Sequence, residues 1–246
     1  MKAMIFAAGL GSRLKPLTDT MPKALVPVDG KPMLEHVILK LRKAGFTDIV
    51  INIHHFGQQI IDFLKAKDNF GLHIQISDER DFLLDTGGGI RKAAALLHGD
   101  EPVLIHNVDI LSNADLKAIY SHHRNSGQDA TLVVSKRETS RYLLFDDAHR
   151  LHGWINRQTG QTKPQCFVYD THLYTPYAFS GIHVVSPSIF RYMDGDRWNG
   201  KFSITEFYLD TCHEAHYQAY VAHGLRLMDI GKPDTIKQAR QFIDTL

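Results

Sequence analysis

The sequence predicts an α/β protein with a Rossmann-like sheet, mixed but mostly parallel, flanked by helices. Three observations predict it. Short β-branched, apolar stretches alternate with stretches of helical period along the first 135 residues. The first apolar stretch, residues 4–7, runs straight into a turn containing Gly9 and Gly11. The 246 residues are enough to bury one large core.

The elements follow in order. Residues 4–7 form the first strand. Residues 32–44 repeat Leu34, Val37, Ile38 and Leu41 at helical spacing, and Gly45 stops them. A strand is expected over 48–53, a helix over 58–67 through Ile60, Ile61 and Leu64, and a strand over 72–77. A helix over 88–97 leads to a strand at 102–106. Asn113 is positioned to cap a helix over 114–124, and 130–135 is strand again. After Ser135 the rhythm changes. Residues 142–145 and 151–154 suit an antiparallel pair joined by 146–150. Residues 156–177 are polar and irregular, which makes them either a functional lid or a place where strand is hidden. Strand returns at 179–185, and Ser186-Pro187 opens a helix. A helix over 202–213, a strand over 217–222 and a closing helix over 233–243 complete a single domain, 1–246. Residues 1–111 form its nucleotide half and 112–246 its substrate half.

Charge is balanced, with 28 Lys and Arg against 27 Asp and Glu, so neither a nucleic acid nor an acidic membrane is an expected partner. No apolar run has membrane-spanning length and no signal peptide is visible, so the cytoplasm is the expected compartment. Cys166 and Cys212 are far apart and are expected to be small buried hydrophobes. His54, His55, Tyr142 and Trp154 lack a partner at a known spacing and are assigned to packing or surface.

Chemistry concentrates at the N-terminus. Gly9 and Gly11 let backbone amides approach phosphate oxygens, and Arg13 and Lys23 bring positive charge to them. The spacing is not that of a Walker A loop or a dinucleotide fingerprint. On the glycines alone, a plain turn with solvated charges remains open. A second glycine cluster, 87–89, precedes a helix, where it can admit a flat ligand or be a plain turn. Asp109 follows an apolar strand, and Asp229 lies between a short strand and the last helix; either can bind a metal ion, cap a helix or face solvent. Glu206 and Asp210 face the same way on one helix.

The run Gly9, Gly11, Arg13, Pro16-Leu17-Thr18, Pro22-Lys23, Lys31-Pro32 resembles the opening of the nucleoside-diphosphate-sugar pyrophosphorylases, or sugar-1-phosphate nucleotidylyltransferases. Ala8 stands where many members have glycine, and Ala24 where many have proline. The Ala-Ala-Gly opening and the short length most resemble muramate-phosphate uridylyltransferases and mannose- or heptose-phosphate guanylyltransferases.

The resemblance implies that a nucleoside triphosphate and a sugar 1-phosphate give an NDP-sugar and pyrophosphate. It implies direct attack on the α-phosphorus, with no protein nucleophile. Arg13, Lys23 and Asp109 are the implied catalytic residues. Ala8, Gly9, Leu10, Gly11, Ser12, Arg13, Gly87 and Gly88 are the implied nucleotide contacts. Asp109 and Asp229 are the implied Mg²⁺ ligands. Asn156, Gly181 and Glu206 are the implied sugar-phosphate contacts, with Arg157 or Lys163 supplying the charge of the family's usual lysine. Glu79 is a further implied contact near base and sugar. No left-handed β-helix follows, so a bifunctional acetyltransferase is not expected. Cytidylyl transfer to an alcohol phosphate such as phosphocholine and a non-catalytic nucleotide-sugar sensor are the rival expectations. Either a monomer or a homo-oligomer fits.

Overall fold

In the computed structural model, which describes residues 1–246, the chain begins with strand β1 (Lys2–Phe6). Residues 12–25 make three short 3₁₀ turns. A two-rung hairpin, β2 (Pro27–Val28) and β3 (Lys31–Pro32), then leads into helix α1 (Met33–Lys43). Its expected stripe of Leu34, Val37, Ile38 and Leu41 is buried. β4 (Asp48–Ile53), α2 (Gly57–Ala66), β5 (His73–Asp78), α3 (Asp85–Lys92), α4 (Ala94–Leu97) and β6 (Val103–Asn107) continue the alternation. The second half holds β7 (Ile110–Ser112), α5 (Leu116–Ser126), β8 (Ala130–Ser135), β9 (Arg141–Phe145), β10 (Leu151–Asn156), β11 (Thr162–Lys163) and β12 (Thr175–Val185). α6 (Ile204–Thr211), β13 (Tyr217–Val221), β14 (Leu227–Asp229) and α7 (Pro233–Ile243) complete it.

Ten strands form one mixed sheet ordered β11-β10-β9-β12-β6-β1-β4-β5, with β8 beside β12 and β13 beside β8. The strands β6-β1-β4-β5 are all parallel. Alternate residues of β1 point to opposite faces: Ala3 and Ile5 enter one core, Met4 and Phe6 the other. A strand buried on both faces must read as a continuous apolar run, which is why β1 was legible. β12 crosses from β9 to β6, and its register shifts between Phe179 and His183, at Gly181 (φ +73°). β7 and β14 form a separate two-stranded ribbon in which Asp229 faces Ile110.

Several boundaries differ from expectation. Asp115, not Asn113, caps α5, accepting the Ala118 amide at 2.9 Å. Asn113 instead ties the chain to residues 224–226 through the Gly224 carbonyl and the Arg226 amide. The segment 156–177 does contain strand: β11 and the first residues of β12. Residues 187–192 form a 3₁₀ helix. Cys212 is buried as expected, but Cys166 is exposed.

α3 starts at Asp85, so Gly87 and Gly88 lie inside the helix and not ahead of it. A Cβ on Gly87 would stand 2.3 Å from the Phe202 ring, and one on Gly88 2.3 Å from the Gly200 carbonyl. These glycines let α3 press against residues 200–202. Gly88→Ala is expected to lower Tm by roughly 5–10 °C through overpacking against backbone. A melting curve matching wild type would contradict the packing role.

Candidate active site

The site lies at the carboxyl ends of the parallel strands, where side chains from consecutive strand–helix turns converge. The end of β1 is pinned by a buried polar link. The Asn52 Oδ1 atom accepts the Ala7 amide at 2.7 Å, and its Nδ2 donates to Glu79 Oε1 at 2.8 Å. Glu79 is fully buried and also accepts the Leu84 amide. Burial raises its pKa, while the Asn52 and Leu84 hydrogen bonds oppose that rise.

From Ala7 the chain turns through Gly9 and Gly11. A Cβ on Gly9 would touch nothing within 4 Å, so this backbone borders open space. Gly11 has φ +66°, and a Cβ there would fall 2.8 Å from Thr18 Cγ2 and 2.9 Å from Lys23 Cβ. Only glycine permits this turn and the close approach of the lysine. Thr18 Oγ1 and the Leu14 amide both donate to the Gly11 carbonyl, fastening the loop over its base.

Ala8, Gly9, Leu10, Gly11, Ser12, Arg13, Lys23 and Asp109 line one cavity of about 390 Å³. Asn52, Glu79, Thr86, Asn107, Lys201 and Gly231 complete much of its wall. Lys23 Nζ donates to Asp109 Oδ2. Asp229 is brought to Asp109 by the β7–β14 ribbon and by the Ile230 amide, which donates to the Asp109 carbonyl at 2.8 Å. Its position in the cleft raises the Asp229 pKa, and the Asp109 charge adds to the rise, although the side chain still opens on solvent. Asp229→Asn removes that repulsion. It is expected to abolish turnover while holding or slightly raising Tm near pH 7; a clear loss of Tm would contradict the charge crowding.

Gly231 lies against both Asp229 and Arg13. A Cβ on it would lie 2.7 Å from Asp229 Oδ1 and 2.8 Å from Arg13 Nη2. Gly231→Ala must therefore push the guanidinium or the carboxylate aside. About a tenfold or larger fall in kcat/KM is expected, with little change in melting temperature. Unchanged steady-state kinetics would show that Arg13 need not sit there.

A second cavity, of about 350 Å³, is lined by Arg137, Arg141, Trp154, Lys163, Phe179 and Glu206, among others. The two cavities are neighbours. The Arg137 charge is felt by Asp229. Thr86, in the first wall, accepts the Ile204 amide at the start of α6, whose Thr205 and Glu206 line the second. Gly181 lies between them, where a Cβ would meet Asn107 at 2.7 Å.

Glu206 lines the second cavity, but other expected contacts line neither. Asn156 Oδ1 caps its own turn by accepting the Gln158 amide, and Arg157 stacks on Tyr142 at 4.8 Å, so neither lines the second cavity. Lys163 does, paired with Glu206 at 3.1 Å. Gly87 and Gly88 are off the wall of the first cavity, and both amides donate to the Phe202 carbonyl. Asp210 pairs with Arg197. Burial and the Lys40 charge push the pKa of the fully buried His106 down to about 4, and it lines neither cavity.

Asn52, Thr86, Lys201, Arg137 and Arg141 were missed. Asn52 carried a signal, a polar residue inside the apolar run 49–53. Lys201, Arg137 and Arg141 sit in polar stretches that read as solvated loop.

The fold is that of the nucleotide-diphospho-sugar transferases. HddC from Yersinia pseudotuberculosis, solved with GMP-PN, superposes with a TM-score of 0.76 over 98% of this chain and 99% of its own; at 22% identity this likeness speaks for the fold alone. The sequence profile of the nucleotidyl transferase family matches residues 2–245. The N-acetylmuramate alpha-1-phosphate uridylyltransferase of Caulobacter vibrioides is 31% identical over 242 residues, covering 94% of this chain and 92% of that protein. The enzyme of that name from Neisseria meningitidis serogroup B is 47% identical over 120 residues, 49% of this chain and 52% of its own length. The chain belongs to the nucleotidyl transferase family, in the class of sugar-1-phosphate nucleotidyltransferases. No helix is long and apolar enough to cross a membrane.

Proposed function

We propose that this chain transfers a uridylyl group from UTP to a sugar 1-phosphate, giving a UDP-sugar and pyrophosphate. The observation that carries the proposal is the meeting of Arg13, Lys23 and Asp109 in the wall of one glycine-lined cavity, with Asp229 beside Arg13 and Asp109. The names of the two uridylyltransferase relatives support UTP as donor and N-acetylmuramate 1-phosphate as acceptor.

In this reading the amides of residues 8–12 and the Arg13 guanidinium hold the β- and γ-phosphates. Arg13 neutralises the charge that builds on departing pyrophosphate. Lys23 steadies the α-phosphate. An oxygen of the sugar phosphate bonds to the α-phosphorus as the bond to the bridging oxygen of pyrophosphate breaks. The attacking phosphate is already ionised near neutral pH, so no side chain must remove a proton. Positioning and charge neutralisation supply the rate.

Asp109 and Asp229 are the proposed holders of Mg²⁺. The donor set fits: two carboxylates converge, and nowhere in the chain do three or more His, Cys, Asp or Glu side chains gather as a metal cage. Mg²⁺ favours one or two carboxylates plus substrate phosphates. When bound, the ion supplies positive charge that screens the two phosphate-bearing substrates from each other.

The test is a panel of the four NTPs against several sugar 1-phosphates and phosphocholine, with pyrophosphate release measured with and without Mg²⁺. Release is expected to be fastest with UTP and a sugar 1-phosphate, and to need Mg²⁺. Release only with CTP and phosphocholine, or none with any pair, would overturn the proposal.

A further inference from the structure

The second cavity carries more cations than acids. It holds three cationic side chains, Arg137, Arg141 and Lys163, against one acid, Glu206. Two of the three are already engaged. Lys163 is paired with Glu206 at 3.1 Å and lies over the Trp154 ring at 5.7 Å. Arg137 donates to the Phe179 carbonyl at 2.9 Å and lies within electrostatic reach of Asp229, on the side toward the first cavity. The guanidinium of Arg141 has no acid within 4 Å; the one hydrogen bond this residue donates comes from its backbone amide.

The sheet places this free cation. Arg141 and Leu143 are alternate residues of β9 and share a face. Trp154 is the cross-strand partner of Leu143, and Lys163 is the partner of Trp154. One continuous floor therefore runs across three strands, with a guanidinium at one side and an indole and an isobutyl group beside it. Such a floor suits a ligand with an apolar face and a separate anionic group. Arg141 is exposed, so its guanidinium is solvated and free to turn to a ligand, and its planar fork matches a carboxylate.

We infer that Arg141 selects the sugar by binding a carboxylate that the sugar itself carries, distinct from its 1-phosphate. The inference rests on the nucleotidyl-transfer reading above. It adds a specificity-determining residue: Arg141 makes a charge-assisted contact to an acid borne on a short ether or on the ring, and Leu143 and Trp154 pack against the adjoining alkyl atoms.

A matched pair of acceptors tests it. N-acetylmuramate 1-phosphate and N-acetylglucosamine 1-phosphate differ only by a carboxylate-bearing lactyl ether. With UTP and Mg²⁺, wild type is expected to prefer the acidic acceptor by about tenfold or more in kcat/KM, chiefly through KM. In Arg141→Met that ratio is expected to fall to within about threefold, and Arg141→Lys, which keeps the charge without the fork, to give an intermediate ratio. Affinity for the two acceptors, followed by quenching of tryptophan fluorescence in the same variants, should move in parallel. Equal use of both acceptors by wild type, or an undiminished ratio in Arg141→Met, would overturn the inference while leaving uridylyl transfer standing. UDP-sugar from neither acceptor, nor from any other sugar phosphate, would overturn the inference and the proposed function together.

Discussion

Asp109→Ala is expected to lower kcat by about 10³-fold or more, the scale of several kcal/mol of lost charge stabilisation at a phosphoryl centre. The residue serves two partners: with Asp229 it is the proposed seat of the metal ion, and it is the carboxylate to which Lys23 donates. Its removal should also push the Mg²⁺ concentration needed for half-maximal rate far upward. The fold should survive, because the backbone carbonyl that fixes the β7–β14 ribbon, through the Ile230 amide, is untouched by the substitution. Circular dichroism and a melting curve separate a dead site from an unfolded chain. A folded variant with wild-type turnover would remove Asp109 from the mechanism.

Lys23→Ala is expected to lower kcat by about 10²–10³-fold, the loss typical of one preorganised donor aimed at developing charge. The split between parameters is informative. A lysine acting on the transferring phosphoryl group lowers kcat, whereas one that only anchors the triphosphate raises KM and spares kcat. Lys23→Arg should recover little, since the first side-chain carbon of Lys23 is pressed against Gly11 and a broad planar head does not replace a compact ammonium. The variant also leaves the Asp109–Asp229 pair with one cation fewer, Arg13 remaining beside Asp229. Its Tm should therefore rise more on adding Mg²⁺ than that of wild type does. Equal shifts would mean that Lys23 does not offset that repulsion.

The sequence made the central fold legible where a strand is buried on both faces or a helix carries one apolar stripe, as in β1, β4 and α1. It was weaker where residues of one type have two uses. Gly87, Gly88 and Gly89 look like a ligand turn, yet Gly87 and Gly88 admit Phe202 and Gly200, more than a hundred residues away. Ser112-Asn113-Ala114-Asp115 offers adjacent caps, and only the strand near Arg226 decides that Asn113 is occupied elsewhere.

Within the site, the glycine loop, Arg13, Lys23 and Asp109 stood at two strand ends, but a plain turn and a solvated acid remained open readings until the resemblance connected them with one another and with Asp229. The sugar side was obscure for a topological reason. Asn156 is the cross-strand partner of Arg141, but its side chain is taken up by its own turn to Gln158; Arg157 stacks on Tyr142, and the β10–β11 hairpin brings Lys163 beside Trp154. Arg141 meets this lysine across β9, β10 and β11, and Arg137 follows β8, which β12 joins to the same sheet.

The most direct test of the central claim counts both products of one reaction mixture. UTP, N-acetylmuramate 1-phosphate, Mg²⁺ and the enzyme are expected to yield UDP-sugar and pyrophosphate in equal amounts, with neither formed when the sugar phosphate is omitted. Pyrophosphate or free phosphate released from UTP alone, or UDP-sugar formed at an undiminished rate by Asp109→Ala, would contradict nucleotidyl transfer at this site.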